Sequence, residues 1–361
     1  MSPNYIRWDQ PGVEHGAGPE EEAAIDECCK LINESQRRVF NEHQHAFTGT
    51  HVKTHGVVKG NFEVLPNLPE HLAQSFFAKP GSHPVALRFS TETTDLVPDH
   101  LPQPRGIGMK VFDVDGEKLR EGMPNHKTHD FEFNSAPAIE LGNAFICRDI
   151  LNLRLKYTDP KEHQRELKKR DDYECQDARN HLPTTPLLSQ KQYSQSAYRY
   201  GDYVAKFAIV PSKNAPQLTK TNQDNITEKD DGAVAYRDRM VKYMKEEKGE
   251  TQFDFQVQLL QNLDDQLIED CRTAWPEDKY PFETVAKITI PPQDPFLPER
   301  INLWRNNIRI NPWDGRKDLK PLGSINRLRI KVYYASAVFR RKMNGNVPEV
   351  NVQHIDELPD K

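Results

Sequence analysis

The chain has 361 residues, 36% of them apolar, with 54 acidic against 49 basic side chains for a formal net charge of −5, and its mean hydropathy is −0.81. Such a length buries a substantial core, as one large domain or two ordinary ones. The charge balance gives no electrostatic case for nucleic acid or a membrane surface, and no apolar run is long enough to span a bilayer.

The 27 prolines argue for many loops and fixed turns rather than a helical bundle. Cys28, Cys29, Cys147, Cys175 and Cys271 are scattered, odd in number and without C-x-x-C spacing, so reduced thiols are expected rather than a disulfide framework. The N-terminus lacks the apolar core of a signal peptide, and the final residues are not a peroxisomal tripeptide. A cytoplasmic protein is the expectation.

In chain order, residues 1–19 read as a polar, extended arm. From Pro19 to about His43 the spacing of Ile25, Cys28, Cys29, Ile32, Val39 and Phe40 predicts a helix, with Glu20 to Glu22 well placed in its first turn. His43 and His45 are read as ordinary polar residues, since nothing nearby in sequence completes a metal set. Residues 51–64 read as a strand kinked at Gly56 and Gly60. A short helix is expected from Pro69 to Ala78. Strands follow at Val85–Ser90, Gly106–Val114 and 129–134. Gly106-Ile-Gly108 lacks the third glycine and the following helix of a dinucleotide fingerprint. A helix from Glu140 to Tyr157 leads into a charged helical stretch reaching about Asp172. Residues 173–198 read as a polar connection and 213–250 as a charged one, with strands at Tyr203–Pro211, Phe253–Leu260 and Thr284–Pro291. Asn225-Ile-Thr227 reads as a surface turn. The last element is a helix from Ser324 to Met343 with Ile325, Leu328, Val332 and Ala335 on one side. Several antiparallel strands followed by helices indicate a β-barrel or curved sheet with appended helices.

Two sets of residues suggest chemistry. His51 and His55 share a face of a strand but lie about 13 Å apart, so a shared metal is not expected. Taken alone, each is as readily a buried histidine bonded to a carbonyl. Arg329 stands one turn before Tyr333 on the same helix face. A phenol has a reference pKa of about 10, and a guanidinium in contact favours phenolate, one of the axial ligands of haem iron. Arg340, two turns on, points to the same side and could meet an anionic group. Arg-x-x-x-Tyr is common by itself.

Together, segments of residues 45–343 resemble the haem catalase superfamily, particularly its short catalase-related members. His51 with Gly60-Asn-Phe-Glu-Val64 resembles the distal-histidine strand, allowing one inserted residue, and His51 to Gly56 matches the His-x-Lys-x-His-Gly of the short members. Arg88-Phe89-Ser90, Pro104-Arg105-Gly106, Asn134 with Pro137, and Arg329, Tyr333 and Arg340 match further motifs in the family's order. The resemblance implies an α+β fold, an antiparallel β-barrel core of the haem catalase type with flanking helices. It divides the chain into an arm and helix at 1–44, a catalase-like haem-binding domain at 45–343, and a tail at 344–361. It implies haem b, with Tyr333 as iron ligand held by Arg329, and Arg88 and Arg340 toward propionates. His51 would be the distal acid–base, Asn134 would orient peroxide, and Ser90 would bond the distal imidazole; His55 and Tyr334 stay structural.

Departures bear on activity. Large catalases have an arginine three residues before the distal histidine, where this chain has Thr48, and valine immediately before it, where this chain has Thr50. A hydroxyl at Thr50 could restrain the imidazole; the same exchange occurs in catalase-related allene oxide synthases. Gln103 replaces a channel aspartate. The sequence also stops soon after the proximal helix, without a flavodoxin-like domain. The resemblance therefore implies a haem-dependent peroxidase with weak catalase activity, acting on hydrogen peroxide or organic hydroperoxides. Rival readings are a fatty acid or organic hydroperoxide lyase, isomerase or allene oxide synthase-like enzyme, a non-catalytic haem-binding or sensing protein, and a non-haem lipid-binding barrel. A homo-oligomer with exchanged N-terminal arms is the family's habit.

Overall fold

In the computed structural model, which describes residues 4–120, 126–219 and 224–360, nine strands form one antiparallel sheet. The first three residues of the expected arm, residues 220–223 of the charged connection and the last residue of the tail lie outside the described residues. The strands are β1 (Lys53–Val64), β2 (Gly81–Thr91), β3 (Arg105–Val111), β4 (His129–Asn134), β5 (Gln192–Tyr193), β6 (Tyr198–Tyr200), β7 (Tyr203–Pro211), β8 (Thr251–Leu259) and β9 (Glu283–Ile290). Their order is β5-β4-β3-β2-β1-β9-β8-β7-β6, and β5 also pairs with β7. That last pairing closes eight strands into a barrel and leaves β6 as a flap on β7. Closure removes the free sheet edges, which would otherwise invite association.

Alternation along the strands decides what fills the barrel. Leu87 and Phe89 of β2, Ile107 and Met109 of β3, Phe131 and Phe133 of β4, and Phe253, Phe255 and Val257 of β8 are buried in one cluster. Phe255 is its hub, with ring contacts to Phe62, Phe77, Phe131, Phe133 and Phe207 at centroid distances of 5.2 to 6.0 Å. The interior is therefore solid side chain. Any ligand must lie against the outer wall, where the residues between those apolar ones point.

Helices cover that wall. They are α1 (Pro19–His43), α2 (Ala144–Lys156), α3 (Pro160–Leu167), α4 (Tyr173–Asp177), α5 (Pro216–Thr219), α6 (Ala235–Val241), α7 (Pro298–Asn306) and α8 (Ser324–Met343). Ala24, Ile25, Cys28 and Ile32 of α1, Ala144, Cys147 and Leu151 of α2, and Leu328 and Val332 of α8 form a second buried cluster. No helix among the described residues is long and apolar enough to cross a membrane.

The long elements lie where the periodicity predicts them. The helix expected over Pro69–Ala78 is instead a 3-10 turn at Ser75–Ala78, because Ser75 takes a left-handed backbone (φ 53°) that a helix cannot contain. The helix expected from Glu140 starts at Ala144, where the Asn143 side chain accepts from Phe145 and Ile146 N–H. The charged continuation is helical only over Pro160–Leu167. Residues 173–198 and 213–250, read as connections, contain α4, β5, part of β6, α5 and α6. α7 has no counterpart in the sequence reading, although Pro298 at its first position and Glu299 in its first turn are helix-start signals.

Candidate active site

Three strands lay out the barrel side of the site in two rows. Ser90 of β2 is opposite Gly106 of β3, which is opposite Asn134 of β4; two residues along, Arg88, Gly108 and Glu132 repeat the pattern. Each row carries a polar side chain at either end and glycine in the middle, which leaves a hollow over β3. The first hollow is filled by the imidazole of His51. A Cβ on Gly106 would fall 2.4 Å from His51 Cε1 and 2.8 Å from Nδ1.

His51 itself precedes β1 rather than belonging to it. Its backbone is left-handed (φ 55°), a conformation uncommon outside glycine and concentrated at functional sites. The turn is held by Arg88, whose Nη2 donates to the His51 carbonyl, and by Thr48 Oγ1 at 3.4 Å from the same oxygen. Nδ1 of the ring lies 3.0 Å from Ser90 Oγ. Burial, with Arg88, Arg329 and Arg179 nearby, pushes the imidazole down to about 3, so it is neutral at ordinary pH.

Opposite stands α8. Tyr333 Oη donates to Glu132 Oε2 at 2.7 Å. Burial and that carboxylate hold the phenol well above its usual range, against the pull of Arg329. Burial likewise lifts Glu132 to about 7, against Arg329 and the bond from Tyr333. Among the described residues, Arg329 makes no hydrogen bond to the Tyr333 oxygen. Its Nη1 donates to Ser196 Oγ (3.0 Å) and Asn326 Oδ1 (3.1 Å), and its Nε is 4.0 Å from Glu132, so it acts on the phenol through space.

One cavity joins these groups. It offers about 210 Å³ to the centres of water-sized molecules, and all eight residues singled out in the sequence line it: Thr50, His51, Arg88, Ser90, Asn134, Arg329, Tyr333 and Arg340. At one end Arg88, Arg305 and Arg340 converge, with no ion pair to any of them among the described residues. Burial, then Arg305 and Arg340, bring Arg88 down to about 9; burial and Arg341 bring Arg340 down to about 10; burial and Arg237 lower Arg305. The Nε atoms of Arg305 and Arg340 are buried without a hydrogen-bond partner. Three crowded cations with unused donors form a site for an anion. Apolar side chains, Ile32, Leu141, Leu151, Ile325 and Leu328, line the cavity as well.

Asn134 is fixed by two bonds: its Nδ2 donates to Glu92 Oε2 (2.8 Å) and its Oδ1 accepts from Ala136 N–H (3.0 Å). Glu92 is raised by burial and by Glu140, against Arg179 and Arg154. Arg179 also bonds Gln103 Oε1 at 2.9 Å. Thr50 lines the cavity, yet among the described residues its hydroxyl makes no hydrogen bond to the imidazole; Ser90 takes that place. His55 is buried with Nε2 2.8 Å from Thr91 Oγ1, a hydroxyl rather than the expected carbonyl, and Tyr334 is exposed.

The sequence reading missed Glu92, Glu132 and Arg305. The signal for Glu132 was present, since it shares strand parity with Asn134. It also left His43 without companions, but Asp95, remote in sequence, brings Glu42, His43 and Asp95 within 4.8 Å of one another at the surface.

No protein-family model and no curated protein matches the chain. Solved structures do. A fungal catalase aligns over 97% of this chain and 70% of its own at 12% identity, TM-score 0.62; a bacterial catalase over 98% and 70% at 16% identity, TM-score 0.62. Catalase A from Saccharomyces cerevisiae aligns over 96% and 71% at 15% identity, TM-score 0.60. The chain has the catalase fold.

Proposed function

We propose that the chain is a haem-dependent peroxidase, reducing hydrogen peroxide or organic hydroperoxides, with weak catalase activity. One observation carries this reading: a phenol from α8 and a neutral imidazole from the barrel wall line the same cavity, with an unpaired guanidinium cluster at one end. Those residues fit haem b. The cations Arg88, Arg305 and Arg340 match its two carboxylates, and the apolar side chains match its hydrocarbon edge. Tyr333 would hold the iron, which supplies the redox chemistry when bound.

The chain's own groups do the rest. Tyr333 must lose its proton to bind a metal, and Glu132, already its hydrogen-bond partner, is the acceptor within reach. The positive charge of Arg329 then steadies the phenolate. His51, neutral and turned by Ser90, takes the proton from one peroxide oxygen and returns it to the leaving oxygen. Asn134, braced by Glu92, keeps one amide hydrogen to orient the substrate. The barrel wall and α8 keep the reacting oxygens away from bulk water. Rearrangement of a fatty acid hydroperoxide is the second reading, supported by the apolar side chains in the cavity lining.

Absorbance spectroscopy after adding haem tests the base assignment. Wild type should give a high-spin ferric tyrosinate-type spectrum, and Tyr333→Phe should lose it; an unchanged spectrum in the variant refutes the ligand. Oxygen release from hydrogen peroxide, oxidation of a reducing dye and consumption of a lipid hydroperoxide are then compared. Dye oxidation should dominate. Lipid hydroperoxide loss without dye oxidation selects the second reading, and no turnover in any assay selects a haem-binding protein without catalysis.

A further inference from the structure

Two cysteines lie in the wall between the N-terminal helix and the cavity. Cys28 of α1 is fully buried, and Cys147 of α2 is 4% exposed and lines the cavity. Ala24 and Cys28 on α1 meet Ala144 and Cys147 on α2, and such small side chains let two helix backbones approach closely. Cys28 Sγ lies 3.7 Å from the carbonyl of Ala144, which stands three residues before Cys147 on α2. Of the other three cysteines, Cys29 is half-buried and packs against the same cluster, Cys175 is half-buried, and Cys271 is buried outside it.

We propose that Cys147 and Cys28 are a peroxide-oxidised pair, closing to a disulfide that ties α1 to α2 at the cavity wall. Cys147 is the sulfur that a peroxide in the cavity can reach. Its attack on one peroxide oxygen breaks the O–O bond, giving the sulfenic acid of Cys147 and releasing water, or an alcohol from an organic hydroperoxide. The sulfur of Cys28 then displaces hydroxide from that sulfenic sulfur, which leaves with the Cys28 proton as a second water. Two thiols lose two protons and two electrons, and one peroxide is reduced. The neighbouring Cys147 and burial hold Cys28 as the thiol beforehand, which suits the partner that resolves rather than the one that attacks. Neither step uses haem. The oxidation would record peroxide that escapes turnover, and would stiffen the wall shared by α1, α2 and α8.

The test uses the full-length chain without haem, treated with a molar excess of hydrogen peroxide, then denatured, alkylated and mapped by mass spectrometry. Free thiols should fall from five to three, one peptide pair should be joined through Cys28 and Cys147, and dithiothreitol should restore all five. Cys29→Ser should leave the link intact, which separates Cys28 from its neighbour. Cys28→Ser should leave Cys147 as a sulfenic acid captured by dimedone. Oxidation of the more exposed Cys29 or Cys175 while Cys28 and Cys147 remain alkylated would overturn the proposal, as would Cys147 oxidised in wild type with no link. If the serine variants do not fold, the wild-type peptide map decides alone.

Discussion

Gly106→Ala is the sharpest perturbation of the site, because Gly108 in the same strand is its control. The added methyl at 106 meets the His51 ring at 2.4 and 2.8 Å and the Phe133 carbonyl at 3.1 Å. The ring must leave its place over β3, because the backbone beneath cannot yield. Overpacking of this kind costs about 1–3 kcal/mol. At 108 the same methyl finds Ile310 at 3.5 to 3.8 Å, ordinary contact, without a positive φ, and Gly→Ala there should gain about 0.4–1 kcal/mol through the unfolded chain. Because the unfolded-chain gain is common to both substitutions, the two alanines should differ by the overpacking cost, about 1–3 kcal/mol in urea-unfolding free energy. Peroxide turnover by the haem-loaded protein should fall about 100-fold for Gly106→Ala, the scale of a displaced catalytic group, and hold for Gly108→Ala. Equal stabilities, or full turnover with alanine at 106, would refute the packing of His51 against this strand.

Three further outcomes follow from the same geometry. Arg305→Leu removes one of three crowded cations, so the haem-free chain should become more stable by about 1 kcal/mol while haem binding weakens about tenfold; calorimetry and haem titration read the two effects, and a loss in both would refute the anion site. Ser90→Ala should lower turnover about tenfold by freeing Nδ1 of His51, and Thr50→Val by less; the reverse order would move ring orientation to Thr50. Buried His129, whose Nδ1 accepts from Arg316 N–H at 3.0 Å, is pushed down to about 3 by burial and then by Lys118. A histidine depressed in the folded state stabilises above its unfolded pKa of about 6.5, and that contribution is lost as pH falls toward 3. The stability advantage of wild type over His129→Leu should thus shrink by about 2 kcal/mol between pH 6.5 and 5; a constant difference would show that His129 is not held neutral.

Much of this was legible before any coordinates. The long strands and both flanking helices follow from period 2 and period 3.6, and the eight chosen residues meet because those elements carry them there. What escaped depends on tertiary partners. β5 is two residues long and exists only because β4 and β7 accept it. Arg305 rides on α7, a nine-residue helix amid prolines, and adds a guanidinium to the cavity wall. Ser90 bonds the His51 ring as the resemblance implies, while the hydroxyl of Thr50 makes no hydrogen bond to it among the described residues. A sequence period does not report a single positive φ.

The shortness of β5 has a mechanical meaning. The barrel is a ring whose last link is one residue pair wide on the β4 side, Asn134 with Tyr193. Just beyond it a side chain replaces the missing ladder: Gln195, held at φ 61°, donates from Nε2 to the carbonyls of Ala136 (3.0 Å) and Ala138 (2.6 Å). Gln195 lines the cavity as well. A seam of one residue pair and one side-chain amide opens at lower free energy than the long β1–β2 pairing, so the wall that carries Asn134 can breathe while the strand that follows the His51 turn stays shut. The fold sets its weakest joint beside Asn134 and a long, continuous one directly after the turn that holds His51.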